Sequence, residues 1–234
     1  MKLLSQNSEM KKDGIYNWSL PAWQVQLSTG EWFNVCPNAD YCTKVCYARN
    51  GTYLFPNTKK KHLANLEFTL KDLVLWQGAM IMEINRIGFK KLKYLRIHDG
   101  GDFYSDQYLQ AWVDIAMLIP SVTFYAYTKE VSRFKKIVQG NCPANFKYLF
   151  SLGGREDGLI DLEKDRHCDV FPSLEAMAVA GYTDQSENDL LAINLPTNKI
   201  GIVVNNINHF KKIQGDLTFK SGQEARMILR KGEM

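Results

Sequence analysis

Apolar and polar residues alternate over residues 22–35 (AWQVQLSTGEWFNV) around a Ser28-Thr29-Gly30 turn, which predicts a β-hairpin ending in a strand. Over 57–87 the period changes. Leu63, Leu66, Leu70, Leu73, Leu75, Met80, Ile84 and Ile87 recur at helical spacing, which predicts one long helix or two broken near Gly78. Residues 94–98 (YLRIH) read as a short buried strand, followed by the turn Asp99-Gly100-Gly101-Asp102. Ser105 is placed to cap a helix running to Leu118, and Pro120 ends that stretch. Further strands are predicted at 122–128, 146–152, 168–171 and 200–204. Helices are predicted at 129–138, after Pro172, and at 221–231.

About six strands mostly separated by helices predict an α/β fold with a mostly parallel sheet and right-handed crossovers. No repeat, low-complexity tract or Gly/Ser linker interrupts the chain, so 1–234 is read as a single domain with an N-terminal hairpin and a Cys loop. In such folds chemistry gathers at the carboxyl ends of the strands. Those ends carry Cys36, residues 98–102, Thr128-Lys129-Glu130, Gly153-Gly154-Arg155 and Asn205-Asn206. Packing alone does not ask for polar groups there, so they are expected to form one site.

Composition narrows the classes. Hydrophobic residues make up 45% of the chain, too many for a disordered protein. No run approaches the roughly 20 apolar residues of a membrane span. The first 17 residues are polar and lack a signal-type apolar region, so a cytoplasmic protein with no membrane partner is expected. A net charge of +4 permits an anionic partner such as nucleic acid or a nucleotide without requiring one.

Five cysteines, three of them at positions 36, 42 and 46, make a poor disulfide framework and a better metal site. Thiolates are soft ligands suited to iron–sulfur clusters and to zinc. Were the chain helical from Thr43, Cys42 and Cys46 would share one face. A closed zinc site wants four protein ligands, and the local run offers three; His62, Cys142, His167 and Cys168 lack tight motif spacing as a fourth. Three thiolates with an open position point instead to a 4Fe–4S cluster on Cys36, Cys42 and Cys46, with zinc as the alternative metal.

His98, Asp99 and Lys129 are the acid–base candidates. Gly100 and Gly101 would let the backbone approach a ligand, with the Asp102 carboxylate accepting hydrogen bonds from an ammonium or hydroxyl group. Asn205 is a further cofactor-binding candidate. The competing reading of 98–102 is a tight turn with Asp102 favoured by the next helix's dipole. Tyr125, Tyr127, Lys129, Arg133, Lys135 and Lys136 mix aromatics with cations, as a nucleic-acid surface does. A core strand followed by a solvated helix face accounts for them as well.

The runs WSLPAW, NVCP, CYARNGTYLFP, NLEF, RIHDGGDFYSDQYLQAW, FYAYTKEVSRF, DVFP and NNI resemble the phage "gene product 88" family over residues 4–215. That resemblance favours Cys36, Cys42, Cys46, His98, Asp99 and Asp102 as family-pattern positions. More distantly, the chain is similar to radical S-adenosylmethionine (SAM) enzymes. This second resemblance implies a partial (βα)6 TIM-like barrel, a cluster on the three cysteines, and SAM held at Gly100-Gly101-Asp102. The spacing here is C-x5-C-x3-C rather than C-x3-C-x2-C, and Asp102 stands where Glu is usual. The function expected is a radical-SAM-like enzyme acting on a nucleotide or nucleic-acid-related substrate. The alternatives are a SAM-independent iron–sulfur or zinc barrel protein, either nucleobase-modifying or a non-catalytic nucleic-acid binder.

Overall fold

A computed structural model describes residues 2–204 and 207–232. Among the described residues the elements run α1 (Ser8–Asp13), β1 (Ile15–Trp18), β2 (Gln24–Gln26), β3 (Trp32–Asn34), α2 (Pro56–Lys71), α3 (Leu73–Ile87), β4 (Tyr94–Ile97), α4 (Asp106–Leu118) and β5 (Thr123–Thr128). They continue α5 (Val131–Ile137), β6 (Phe146–Ser151), β7 (His167–Phe171), α6 (Leu174–Val179), β8 (Thr183–Asp184), α7 (Leu191–Asn194), β9 (Lys199–Val203), α8 (Asn208–Gln214) and α9 (Phe219–Gly232). The chain packs as two compact units: residues 1–37, 48–127 and 133–147, and residues 38–47, 128–132 and 148–234.

In the first unit β1, β4 and β5 lie side by side and parallel, with Tyr94 paired to both Ile15 and Thr123. Leu95 and Ile97 of β4 are fully buried, as are Trp18, Trp76, Tyr108 and Trp112. The Trp76 and Trp112 rings meet edge-on at 5.1 Å, a geometry aromatic pairs prefer to face-on stacking. Ser105 caps α4 as expected, its Oγ accepting the N–H of Tyr108 at 3.2 Å. The helical run after Pro56 breaks at Asp72, not near Gly78. Asp72 is extended, and its carboxylate accepts the Leu75 N–H at 2.8 Å, which starts α3; Gly78 lies inside that helix. β2 and β3 form the expected hairpin as a separate two-stranded antiparallel sheet.

In the second unit β6, β7, β9 and β8 are adjacent in that order, and the pairs β6–β7, β7–β9 and β8–β9 are parallel. Tyr41, Val45, Val204, Phe210 and Phe219 form a core cluster in this unit, with Cys42 packed against it.

The α/β class with mostly parallel strand pairing is therefore met within each unit. The expected partial (βα)6 TIM-like barrel is not shown: among the described residues β1 has only β4 as a strand neighbour and β8 only β9, so no closed sheet is present. The Cys loop follows the separate hairpin, so the strand before it is not part of the main sheet. No helix among the described residues is long and apolar enough to cross a membrane.

Candidate functional site

The carboxyl end of β4 places His98 to Asp102 in the first unit. His98 takes a left-handed φ of 64°, uncommon for a residue with a side chain, and its N–H is held by the Trp18 carbonyl at 2.9 Å. The ring is buried, and burial lowers its pKa to about 3. Its Nε2 lies 2.9 Å from the Tyr108 hydroxyl, which also accepts the Trp18 indole N–H at 2.8 Å. His98 Nδ1 is buried with no hydrogen-bond partner.

Gly100 and Gly101 serve a close approach, but to the chain itself. The Gly100 carbonyl accepts the Leu20 N–H at 2.9 Å. A Cβ on Gly101, whose φ is 89°, would sit 2.7 Å from the Leu20 side chain. Asp102 is 5% exposed, and its Oδ1 accepts the Phe103 N–H at 2.8 Å. Asp99 accepts the Tyr53 hydroxyl and pairs with Arg96 at 3.3 Å, while Arg96 lies over the Tyr127 ring at 5.3 Å.

Several of the aromatic and basic residues after β4 are already engaged within the first unit. Tyr125 is fully buried, and Arg133 and Lys136 both pair with Asp106 at 2.8 Å. Those two cations hold the Asp106 carboxyl below its usual pKa.

Cys36, Cys42 and Cys46 are all partly exposed, while Cys168 is buried. Cys36 ends the hairpin in the first unit: its Sγ accepts the Trp23 N–H at 3.3 Å, and its own N–H is held by Asn34 at 3.1 Å. Cys42 lies in a 3₁₀ turn, Tyr41–Lys44, in the second unit. That turn closes at Val45, so Cys42 and Cys46 do not share an α-helical face. The segment is anchored at Asp40, which Arg230 holds with two bonds of 2.7 and 3.1 Å and Arg226 with one of 3.0 Å. Burial opposes the Asp40 charge, but the Gln223 amide and the two arginines outweigh it and keep the carboxyl below its ordinary pKa. Among the described residues no group of three or more His, Cys, Asp or Glu side chains stands together as a metal site.

Lys129 has its ammonium spent on the end of β6, donating to the Ser151 carbonyl at 2.9 Å, the Ser151 hydroxyl at 2.8 Å and the Leu152 carbonyl at 2.9 Å. Glu130, 1% exposed, takes the backbone and side-chain amides of Asn38, both at 3.0 Å. Asp157 accepts the N–H groups of Gly153 and Gly154 at 2.8 and 2.9 Å. Asn205 lies outside the described residues. The anchors Asp40, Gln223 and Asp157 escaped the sequence reading, because nothing local links an Asp beside a cysteine to a C-terminal helix.

The fold and these sites define an α/β protein with mostly parallel strand pairing and three partly exposed thiols close together in sequence. The chain belongs to the Gene product 88 family, whose family model matches residues 1–231. It is 33% identical over 112 residues to the Gene 88 protein of Mycobacterium phage L5, and equally to the Gene 88 protein of Mycobacterium phage D29. Each match covers 45% of this chain and 46% of the relative, so less than half the length of these curated relatives is matched. No solved structure matches the chain.

Proposed function

We propose that this protein is an iron–sulfur protein in which Cys36, Cys42 and Cys46 ligate a 4Fe–4S cluster. In its finer form the proposal is a radical-SAM-like enzyme acting on a nucleotide or nucleic-acid-related substrate in the host cytoplasm, where thiols stay reduced. The observation that carries it is the donor set: three partly exposed thiols within eleven residues of one irregular stretch of chain. That chemistry fits a thiolate-ligated cluster. A cluster with one iron free of cysteine supplies an electron and a place for the amino-acid end of SAM.

The chain's own residues have separate tasks. The Trp23 N–H on Cys36 Sγ favours the thiolate, as hydrogen bonds to a ligating sulfur do. Asp40 fixes the segment that carries Cys42 and Cys46. Asp102 would supply a carboxylate for an ammonium group, with Gly100 and Gly101 next to it in the chain and Asn205 as a further candidate for holding the cofactor. His98 would act as a neutral ring with Asp99 nearby, and Lys129 would position the end of β6.

Anaerobic purification followed by iron, sulfide and zinc analysis tests the proposal. Iron and inorganic sulfide should be present, lost in Cys36→Ala, Cys42→Ala and Cys46→Ala, and kept in Cys142→Ala and Cys168→Ala. One tightly held zinc without sulfide overturns it. Titrating the reduced cluster with SAM tests the finer form: an unchanged electron paramagnetic resonance spectrum rules it out.

A further inference from the structure

A cavity of about 330 Å³ lies within the second unit, lined by Asp169, Phe171, Tyr182, Lys199 and Lys220 among others. Strand periodicity puts His167, Asp169 and Phe171 of β7 on one face, and Lys199 of β9 is the register partner of His167. Both lysines are matched at the rim: Lys199 with Glu163 at 2.9 Å and Lys220 with Glu224 at 3.1 Å. The two glutamates are themselves well exposed.

Asp169 is different. It is 3% exposed, and among the described residues no cation pairs with it. Its Oδ1 accepts the N–H groups of Val170 at 2.8 Å and Lys220 at 3.2 Å, and the Thr218 side chain also hydrogen-bonds the carboxylate. Burial raises its pKa to about 6, so it is mostly ionised at neutral pH. With the rim pairs cancelling, the cavity carries one buried negative charge that is hydrogen-bonded but has no cation beside it. A buried charge is costly unless something pairs with it.

Tyr182 faces the same space. His167 Nδ1 donates to the Asp165 carbonyl at 2.8 Å, so Nε2 of the neutral ring is an acceptor. The Tyr182 hydroxyl lies 2.8 Å from that Nε2 and donates to it. The hydroxyl proton is spent, and the Tyr182 oxygen is left to accept.

We propose that this cavity binds a small molecule bearing a primary ammonium group, with Asp169 as its counter-charge and the Tyr182 oxygen as a second acceptor. The volume is at the lower end of the ~300–1,000 Å³ typical of small-molecule sites. A metal ion is the poorer occupant, since the lining offers one buried carboxylate, and its two glutamates are exposed and already paired with lysines. The proposal is independent of the iron–sulfur reading and holds in Cys42→Ala as in the unaltered chain.

The two amides bonded to Asp169 are built-in reporters for ¹H–¹⁵N NMR. Titration with n-butylammonium should shift the Val170 and Lys220 amides saturably, while butyrate or sodium at the same ionic strength should not. Asp169→Asn keeps an acceptor for both amides and should weaken binding about tenfold or more, the worth of a charge-assisted hydrogen bond. Tyr182→Phe should weaken it severalfold and serves as the deciding variant should Asp169→Asn fail to fold. Absence of saturation in the unaltered protein overturns the proposal, as does unchanged affinity in a folded variant.

Discussion

The Tyr108 hydroxyl stands 2.9 Å from Nε2 of His98, a residue whose backbone holds a φ of 64°. Because the Trp18 indole already donates to the Tyr108 oxygen at 2.8 Å, the hydroxyl proton is directed to His98 Nε2. A neutral ring then carries its proton on Nδ1, the atom that has no partner. A strained backbone and an unpaired buried nitrogen cost stability and are found where a site is prepared for something else.

His98 should accordingly not titrate near neutral pH. Its pKa, lowered by burial from 6.5 to about 3, lies below that of the unfolded chain. Folding therefore favours the neutral ring. The stability this contributes is complete above pH 6.5 and is lost as pH falls toward 3. The ¹⁵N shifts of the His98 ring should stay those of a neutral Nδ1–H tautomer from pH 8 down to about pH 5. A midpoint near 6.5 would show an accessible ring that burial does not hold neutral.

Much of this end of the first unit was legible in the sequence. Ser105 announces α4 because a capping hydroxyl precedes an apolar period, and 94–98 announces β4 by its apolar run. The helix break was misplaced because Gly78 looks flexible, whereas an aspartate that can bond the next turn's amide ends one helix and starts another at once. β1 went unseen because its four residues become a strand by pairing with β4, not by any local pattern. The thiol spacing was legible, but not its anchorage, since Asp40 meets Arg226 and Arg230 only after folding.

That anchorage gives a second prediction. Asp40→Asn removes the charge facing Arg226 and Arg230, both of which can turn partly to water. The cost should be about 1–3 kcal/mol, as for hydrogen bonds to charged groups. Because the Asp40 carboxyl is held below its ordinary pKa, its contribution is complete above the ordinary carboxyl range and fades as pH falls through the lowered value. Freed at Asp40, the segment bearing Cys42 and Cys46 should react faster with a thiol reagent. Equal rates in variant and parent would show that other contacts hold it.

Gly222 tests the same region from the helix side. A Cβ built on it would overlap the Tyr41 ring, which packs edge-on against Phe219 at 5.7 Å. Alanine would gain up to about 1 kcal/mol of helix propensity, less so in the first turn, against roughly 1–3 kcal/mol for overpacking. Gly222→Ala should therefore lower stability by a net ~1–2 kcal/mol, read as a shift in urea midpoint at constant slope. A more stable variant would mean that the ring moves freely.

Asp169 gives the last prediction, opposite in sign to His98. Its pKa is raised by burial from 3.8 to about 6, so folding favours the protonated form. The contribution is complete below the unfolded value and is lost as pH rises through 6. Asp169→Asn resembles the protonated carboxyl and should abolish this dependence. Relative to the parent it should gain stability between pH 4 and pH 7, by at most roughly 2–3 kcal/mol at one pKa unit per ~1.4 kcal/mol. Subtracting the two urea series cancels the His98 dependence, since that residue is common to both. Tyr182, Lys199 and Lys220, with Glu163 and Glu224 at the rim, face the same cavity, and all stay in place in the variant. A parallel pair of curves would mean an ordinary carboxyl. Added n-butylammonium should shrink the parent's loss above pH 6, because a bound cation stabilises the carboxylate that burial otherwise penalises, and should move Asp169→Asn much less at the same concentration.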